Sequence, residues 1–309
     1  MAHPADRATR SPAMQVAIAG ASGFLGSALV TELQKDSIDV RRLKRGGRVS
    51  GSDVFWNPER GELDPKSLEG IDAIVNLAGE PIAQRWTAAR KAAIRDSRIK
   101  STTLLSRTIN QLERPPRFFL SGSAIGIYGD RGDEELDEGS SPGAGFLAET
   151  AIAWEGAAGP ASSSSTRVIF LRTGVVLNPA GGALAKMLLP YRFGLGGRVG
   201  SGKQWISWIG LEDWVRAVIF LLRSAVVDGP VNLVAPSPIP NADFSKTLAR
   251  VLGRPTLAIV PAFAVELLFG EMGRETLLGS QRIHPQRLLD AGFEFAHPTL
   301  EQALRAELS

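Results

Sequence analysis

Residues 15–35 read QVAIA, GASGFLG, SALVTELQK: a short apolar run, a glycine-rich turn, then apolar residues at helical spacing. That order predicts strand, tight turn and helix. Gly20, Gly23 and Gly26 form GxxGxxG at the mouth of the helix. Glycine lets the turn tighten and a phosphate approach the backbone, and the helix start offers free N–H groups to an anion. The spacing therefore predicts a dinucleotide site, with Gly20, Ser22, Gly23, Phe24, Leu25 and Gly26 around the pyrophosphate.

The rest of the chain repeats the alternation. Candidate strands are DVRRL (39–43), DVFW (53–56), DAIVNLA (72–78), RFFLSGS (117–123) and RVIFLRTGVVL (167–177), with helices over roughly 85–112 and 145–158. Strands this continuous in Val, Ile, Leu and Phe belong to a parallel sheet covered on both faces, so the fold class is doubly wound α/β. After Leu177 the texture changes to glycine-rich and proline-rich segments. The expected division is a disordered extension over 1–13, with Met14 as an alternative start. A Rossmann domain follows over 14–178 plus about 205–235, and a smaller substrate-side domain over 179–204 and 236–309.

Cofactor type is read at the end of the second strand, where an acidic residue would bind the ribose 2′-hydroxyl of NAD. VRRLKRGGR places Lys44 and Arg45 there instead, two cations suited to the 2′-phosphate of NADP(H). Cysteine is absent and the three histidines are scattered, so thiolate chemistry, disulfides and a metal site are not expected. The net charge of +3, with acidic and basic residues interleaved, gives no case for nucleic acid. No apolar run reads as a signal or a membrane span, so a cytoplasmic protein with no membrane partner is expected.

With GASGFLG, NLAGE (76–80), SGSAIGIYG (121–129) and LRTGVVL (171–177) in order, the chain resembles the extended short-chain dehydrogenase/reductase superfamily. NLAGEPIAQRWTAARKAAIRDSRIKST, FLAETAIAWE, GLGGRVGSGKQWISWI and HPQRLLDAGFEFAHPTLEQAL narrow the resemblance to its atypical epimerase-like branch with a C-terminal domain of unknown function. The resemblance implies NADP(H), a small-molecule substrate and a homodimer. It places Leu77, Ala78, Gly79, Glu80, Arg98 and Val176 with the cofactor, Gly79 and Glu80 turning away from it. Ser123 matches the serine that meets the substrate oxygen, and Tyr128 the tyrosine of a turn lining the substrate side.

The superfamily's YxxxK acid and base are missing. Aligned on Trp154 and Glu155, the tyrosine falls at Phe146 or Leu147 and the lysine at Thr150 or Ala151. Glu80, Glu149, Lys203 and Asp213 are other protic candidates, and Trp205 and Trp208 form a candidate rim for a flat or sugar-like substrate. Two functions stay open: an oxidoreductase or epimerase-like enzyme acting on a carbonyl or hydroxyl group, and a non-catalytic NADP(H)-binding regulator.

Overall fold

The computed structural model describes residues 14–46, 51–163, 165–224 and 226–309; the extension over 1–13 lies outside them. Strands β1 (Gln15–Ala19), β2 (Asp39–Lys44), β3 (Val54–Asn57), β4 (Glu62–Leu63), β5 (Ala73–Asn76) and β6 (Phe118–Ala124) join Arg167–Thr173 and Gly229–Leu233 in one eight-stranded sheet. From one edge the order is Gly229–Leu233, Arg167–Thr173, β6, β5, β1, β2, β3, β4. All neighbours run parallel except β4, which pairs antiparallel with β3. The chain leaves β1 toward β2 and β3, then returns to β1's other side as β5. A ligand crevice opens where the winding reverses, beyond the carboxyl ends of β1 and β5.

The sheet is covered on both faces because its strands are apolar on both. The helices that position the site are α1 (Phe24–Lys35), α2 (Ala88–Ile109), α3 (Phe146–Ala158), α4 (Gly182–Arg192) and α5 (Leu211–Arg223). Val16 and Ile18 pack with Leu29 and Leu33 of α1 and with Trp214 and Val218 of α5. Ala17, Ala19 and Ile74 face the other way, toward Leu105 of α2 and Phe119. Thr87 ends the irregular lead-in to α2 by accepting the Arg90 N–H at 3.2 Å.

The expected strand over 167–177 is two strands broken at Gly174. A Cβ at Gly174 would lie 2.6 Å from the Val234 side chain and 2.9 Å from the Ser207 carbonyl. Beyond the break, Val175–Asn178 leaves the sheet and pairs in parallel with Trp208–Gly210. This side ladder rests on a separate core in which Leu177, Leu184, Tyr191, Trp208, Phe244 and Leu304 pack together. Trp208 is therefore a core residue rather than a substrate rim: it is fully buried, and its Nε1 donates to the Ser237 carbonyl at 3.0 Å.

The C-terminal part grips the turn after β6 and the start of α3. Gln281 Nε2 donates to the carbonyls of Ile125 and Gly129 at 3.1 and 3.0 Å. Glu275 spreads its carboxylate over the first N–H groups of α3, accepting from Phe146 and Leu147 at 2.9 Å each. An anion there satisfies two orphan donors and complements the helix dipole. Glu275→Ala is expected to lower unfolding free energy by about 1–2 kcal/mol, measured by chemical denaturation. An unchanged midpoint and slope would show that the clasp contributes nothing to stability.

Candidate functional site

The site begins with a close approach that only glycine permits. Gly20 sits at φ +78°, and a Cβ on it would stand 2.7 Å from the carbonyl carbon and oxygen of Leu77. A Cβ on Gly26 would lie 2.1 Å from the Gly20 carbonyl oxygen, which instead accepts the Gly23 N–H at 2.9 Å. The turn is thus pressed onto the end of β5, and α1 starts at Phe24 with no side chain capping it. Ser22 and Gly23 are exposed at its tip, while Phe24 and Leu25 are half-buried. The uncapped first-turn N–H groups open onto the crevice and can take an anion. Phe24 packs where Gly181 lies: a Cβ at Gly181 would come within 2.5 Å of the ring.

At the end of β2 the two predicted cations differ. The Lys44 ammonium is 2.5 Å from the Asp53 carboxylate, whereas Arg45 is exposed beside it. At the end of β5, Leu77 donates its N–H to the Ala19 carbonyl at 2.9 Å and Ala78 to the Asn76 side chain at 3.2 Å. Asn76, fully buried, donates in turn to Thr102 of α2, which also accepts the Trp154 indole N–H of α3 at 2.8 Å. Gly79 and Glu80 bend onto α2: the Glu80 N–H donates to Ser97, and its carboxylate lies 3.4 Å from Arg90.

Arg98 of α2 lies against Gly79, where a Cβ would stand 3.2 Å from the guanidinium carbon. Its Nη1 donates to the carbonyls of Glu80 and Ile94 at 3.0 and 2.9 Å, and its guanidinium stacks 5.0 Å over the Trp154 ring. Burial lowers its pKa to about 10 against the pull of Glu80, so it stays cationic at neutral pH. Among the described residues it makes no ion pair. A cation held by carbonyls and an indole keeps its remaining donors for an anion or a polar ligand.

Beyond β6 the predicted residues fall into one buried polar chain. Ser123 Oγ donates to Glu155 Oε1 at 2.6 Å. Arg172 grips the same carboxylate with two parallel bonds, Nε to Oε1 at 2.8 Å and Nη2 to Oε2 at 2.9 Å. Its Nη1 donates to the Tyr128 hydroxyl at 2.9 Å, and that hydroxyl donates to Asn232 Oδ1 at 2.8 Å. Burial opposes the charge on Arg172, but Glu155 outweighs it and holds the guanidinium above its ordinary range. Tyr128 is fully buried and its phenol is pushed up by desolvation, only partly countered by Arg172. It does not wall a substrate cleft, as its place in the turn implied; both functions of its hydroxyl are used inside the protein. Val176 is buried in the side ladder, paired with Ile209.

The YxxxK positions are filled by packing. Leu147 lies against Gly126, and Phe146 meets Trp86 edge-on with centroids 4.9 Å apart. Thr150 and Ala151 are buried. Of the other protic candidates, Glu149 and Lys203 are exposed. Asp213 is buried and accepts the N–H groups of Ala296 and His297 at 2.8 and 2.9 Å, which makes it a structural anchor. Trp205 is half-buried, with the Arg282 guanidinium 4.5 Å over its ring. Sequence reasoning missed Glu155, Arg172 and Glu275. A signal existed for the first two: Leu147, Ala151 and Glu155 recur at four-residue spacing on one face of α3, and a glutamate on a buried face needs a cation.

Known proteins bear on this arrangement in three ways. Residues 16–233 match the family model of the NAD dependent epimerase/dehydratase family, and residues 260–307 match a domain of unknown function, DUF1731. An epimerase family protein of Mycobacterium bovis is 46% identical over 290 residues, covering 94% of this chain and 96% of the relative. The crystal structure of human epimerase family protein SDR39U1 with NADPH superposes with a TM-score of 0.86 at 33% identity, covering 95% of this chain and 98% of that one. A nucleoside-diphosphate sugar epimerase structure from Corynebacterium glutamicum reaches 0.79 at 36% identity over 96% of this chain and 58% of that one. The glycine turn pressed onto β5, the parallel sheet whose winding reverses between β1 and β5, and these likenesses agree: the chain belongs to the NAD dependent epimerase/dehydratase family, within the extended short-chain dehydrogenase/reductases.

Proposed function

We propose that this chain binds NADP(H) across the crevice between β1 and β5 and acts on a carbonyl or hydroxyl group of a small substrate. The observation that carries the proposal is the glycine turn at Gly20, pressed so close to Leu77 that a Cβ has no room, leading into an uncapped helix start. Gly20, Ser22, Gly23, Phe24, Leu25 and Gly26 would hold the pyrophosphate. Leu77, Ala78 and Val176 would border the cofactor, and Arg98, above Gly79 and Glu80, would supply a buried cation. Support for the phosphorylated form comes from Lys44 and Arg45 and from the NADPH named with the human relative. Because Lys44 is paired with Asp53, Arg45 is the one of these two cations free to grip a 2′-phosphate.

When bound, the nicotinamide ring supplies hydride exchange with a substrate carbon. The chain's own part is to orient the substrate oxygen, and Ser123 at the end of β6 is the hydroxyl that would meet it. The Corynebacterium relative's name favours a sugar nucleotide among such substrates. A second reading, a non-catalytic NADP(H)-binding regulator, is favoured by Phe146 or Leu147, and Thr150 or Ala151, where an acid and its partner would stand.

Two measurements test these readings. Arg45→Ala should weaken NADPH binding by about 10–100-fold and leave NADH binding unchanged by titration calorimetry; equal loss for both cofactors would sink the 2′-phosphate assignment. Incubation with 4-deuterated NADPH and a panel of carbonyl compounds and nucleotide sugars should move deuterium to product, and Ser123→Ala should slow the transfer by about 100-fold. No transfer with any panel member supports the regulator, provided NADPH still binds.

A further inference from the structure

We infer that one face of the C-terminal part docks on an anionic lipid surface. The face is built by the end of α4, the loop after it, a two-stranded ladder and the start of α6 (Ala262–Phe269). Gly197–Val199 pairs in parallel with Ala258–Val260, setting Arg198 beside Ile259. Gly200 ties the ladder to its end by donating to the Val260 carbonyl at 2.8 Å, and Gly194 packs against Pro255. These contacts make one continuous surface from separate stretches of chain.

Its composition is unlike the rest of the exterior. Leu189, Phe193, Leu195, Leu257, Ile259 and Phe263 are each more than half exposed, Leu257 at 87%. Leu257 and Ile259 share the ladder's outer face by the two-residue period, and in α6 only Val265 is buried. Six large apolar side chains together exceed the scattered exposure normal for a protein in water. Interleaved with them are Arg192, Arg198 and Arg254, all exposed and, among the described residues, without a carboxylate partner. Across 179–211 and 244–265 there are seven Lys and Arg and no Asp or Glu, with Glu212, Asp243 and Glu266 at the margins; of the seven, Lys246 pairs with Asp243 and Arg250 with Glu301.

Charge decides between occupants. A second copy of this chain on the same face would bring six uncompensated guanidinium groups together, which disfavours a symmetric pair. An anionic bilayer offers what the face lacks, an apolar phase for the leucines and phenylalanines and phosphates for the arginines. No described helix is long and apolar enough to cross a membrane, and interfacial docking requires none. The expectation of no membrane partner rested on that missing span, and the proposal departs from it.

The test is flotation of the full-length protein with vesicles of phosphatidylcholine and phosphatidylglycerol, against vesicles of phosphatidylcholine alone. The protein should float with the anionic vesicles, and Arg192→Gln/Arg198→Gln/Arg254→Gln should reduce partition on the order of a hundredfold. Leu257→Glu/Phe263→Glu should abolish flotation with an unchanged melting temperature, since both side chains are already in water. Failure of the wild type to float overturns the inference, as does flotation that survives in the double variant. A concentration-dependent dimer in sedimentation that the double variant dissolves, without flotation of the wild type, also overturns it and gives the face to a second copy.

Discussion

The ion pair of Glu155 with Arg172 ties α3 to the sheet at the point where β6, the turn after it and the edge strand meet. Glu155 belongs to α3, Arg172 to the strand beside β6, and through Ser123, Tyr128 and Asn232 the pair reaches the end of β6, the turn after it and the edge strand. Both partners are largely removed from water, with side chains 8% and 12% exposed. Breaking such a pair from one side costs about 3–5 kcal/mol because it strands a buried charge. Ser123 is therefore held by a network in which Glu155 accepts from both Ser123 and Arg172, and Arg172 donates onward to Tyr128.

That network also defines what Ser123 can offer. Its proton is committed to the Glu155 carboxylate at 2.6 Å, which leaves the oxygen as an acceptor. Arg98, stacked on the ring of Trp154 next to Glu155 in α3, presents donors. Neither arrangement uses the tyrosine and lysine that the superfamily places on α3.

Much of the fold was readable from local pattern. The strand–turn–helix at 15–35 and the two-sided apolar strands specified a doubly wound sheet because those signals are short-range and the glycines answer a steric demand within a few residues. What escaped were features decided across the chain. Gly174 breaks a continuous apolar run only because Val234 and Ser207 crowd it from distant segments. Trp208 resembled a surface aromatic because its burial depends on helices that follow it by dozens of residues. Tyr128 was legible as a turn residue, but its burial is set by Arg172 and Asn232, which local spacing does not reveal. Lys44 looked like a free cation until the strand beyond the loop brought Asp53 to it.

The grip of Glu275 on α3 carries a consequence for how the molecule comes into being. The carboxylate and the N–H groups that it caps are separated by 129 and 128 residues. During synthesis β1 to β6, α2 and α3 emerge well before Glu275 does, and domains ordinarily begin folding as they emerge. Until the last stretch of chain arrives, the start of α3 stays open to water and unclasped. A truncated or stalled chain ending before Glu275 would then carry the glycine turn and β1 to β6 complete, with the first N–H groups of α3 uncapped.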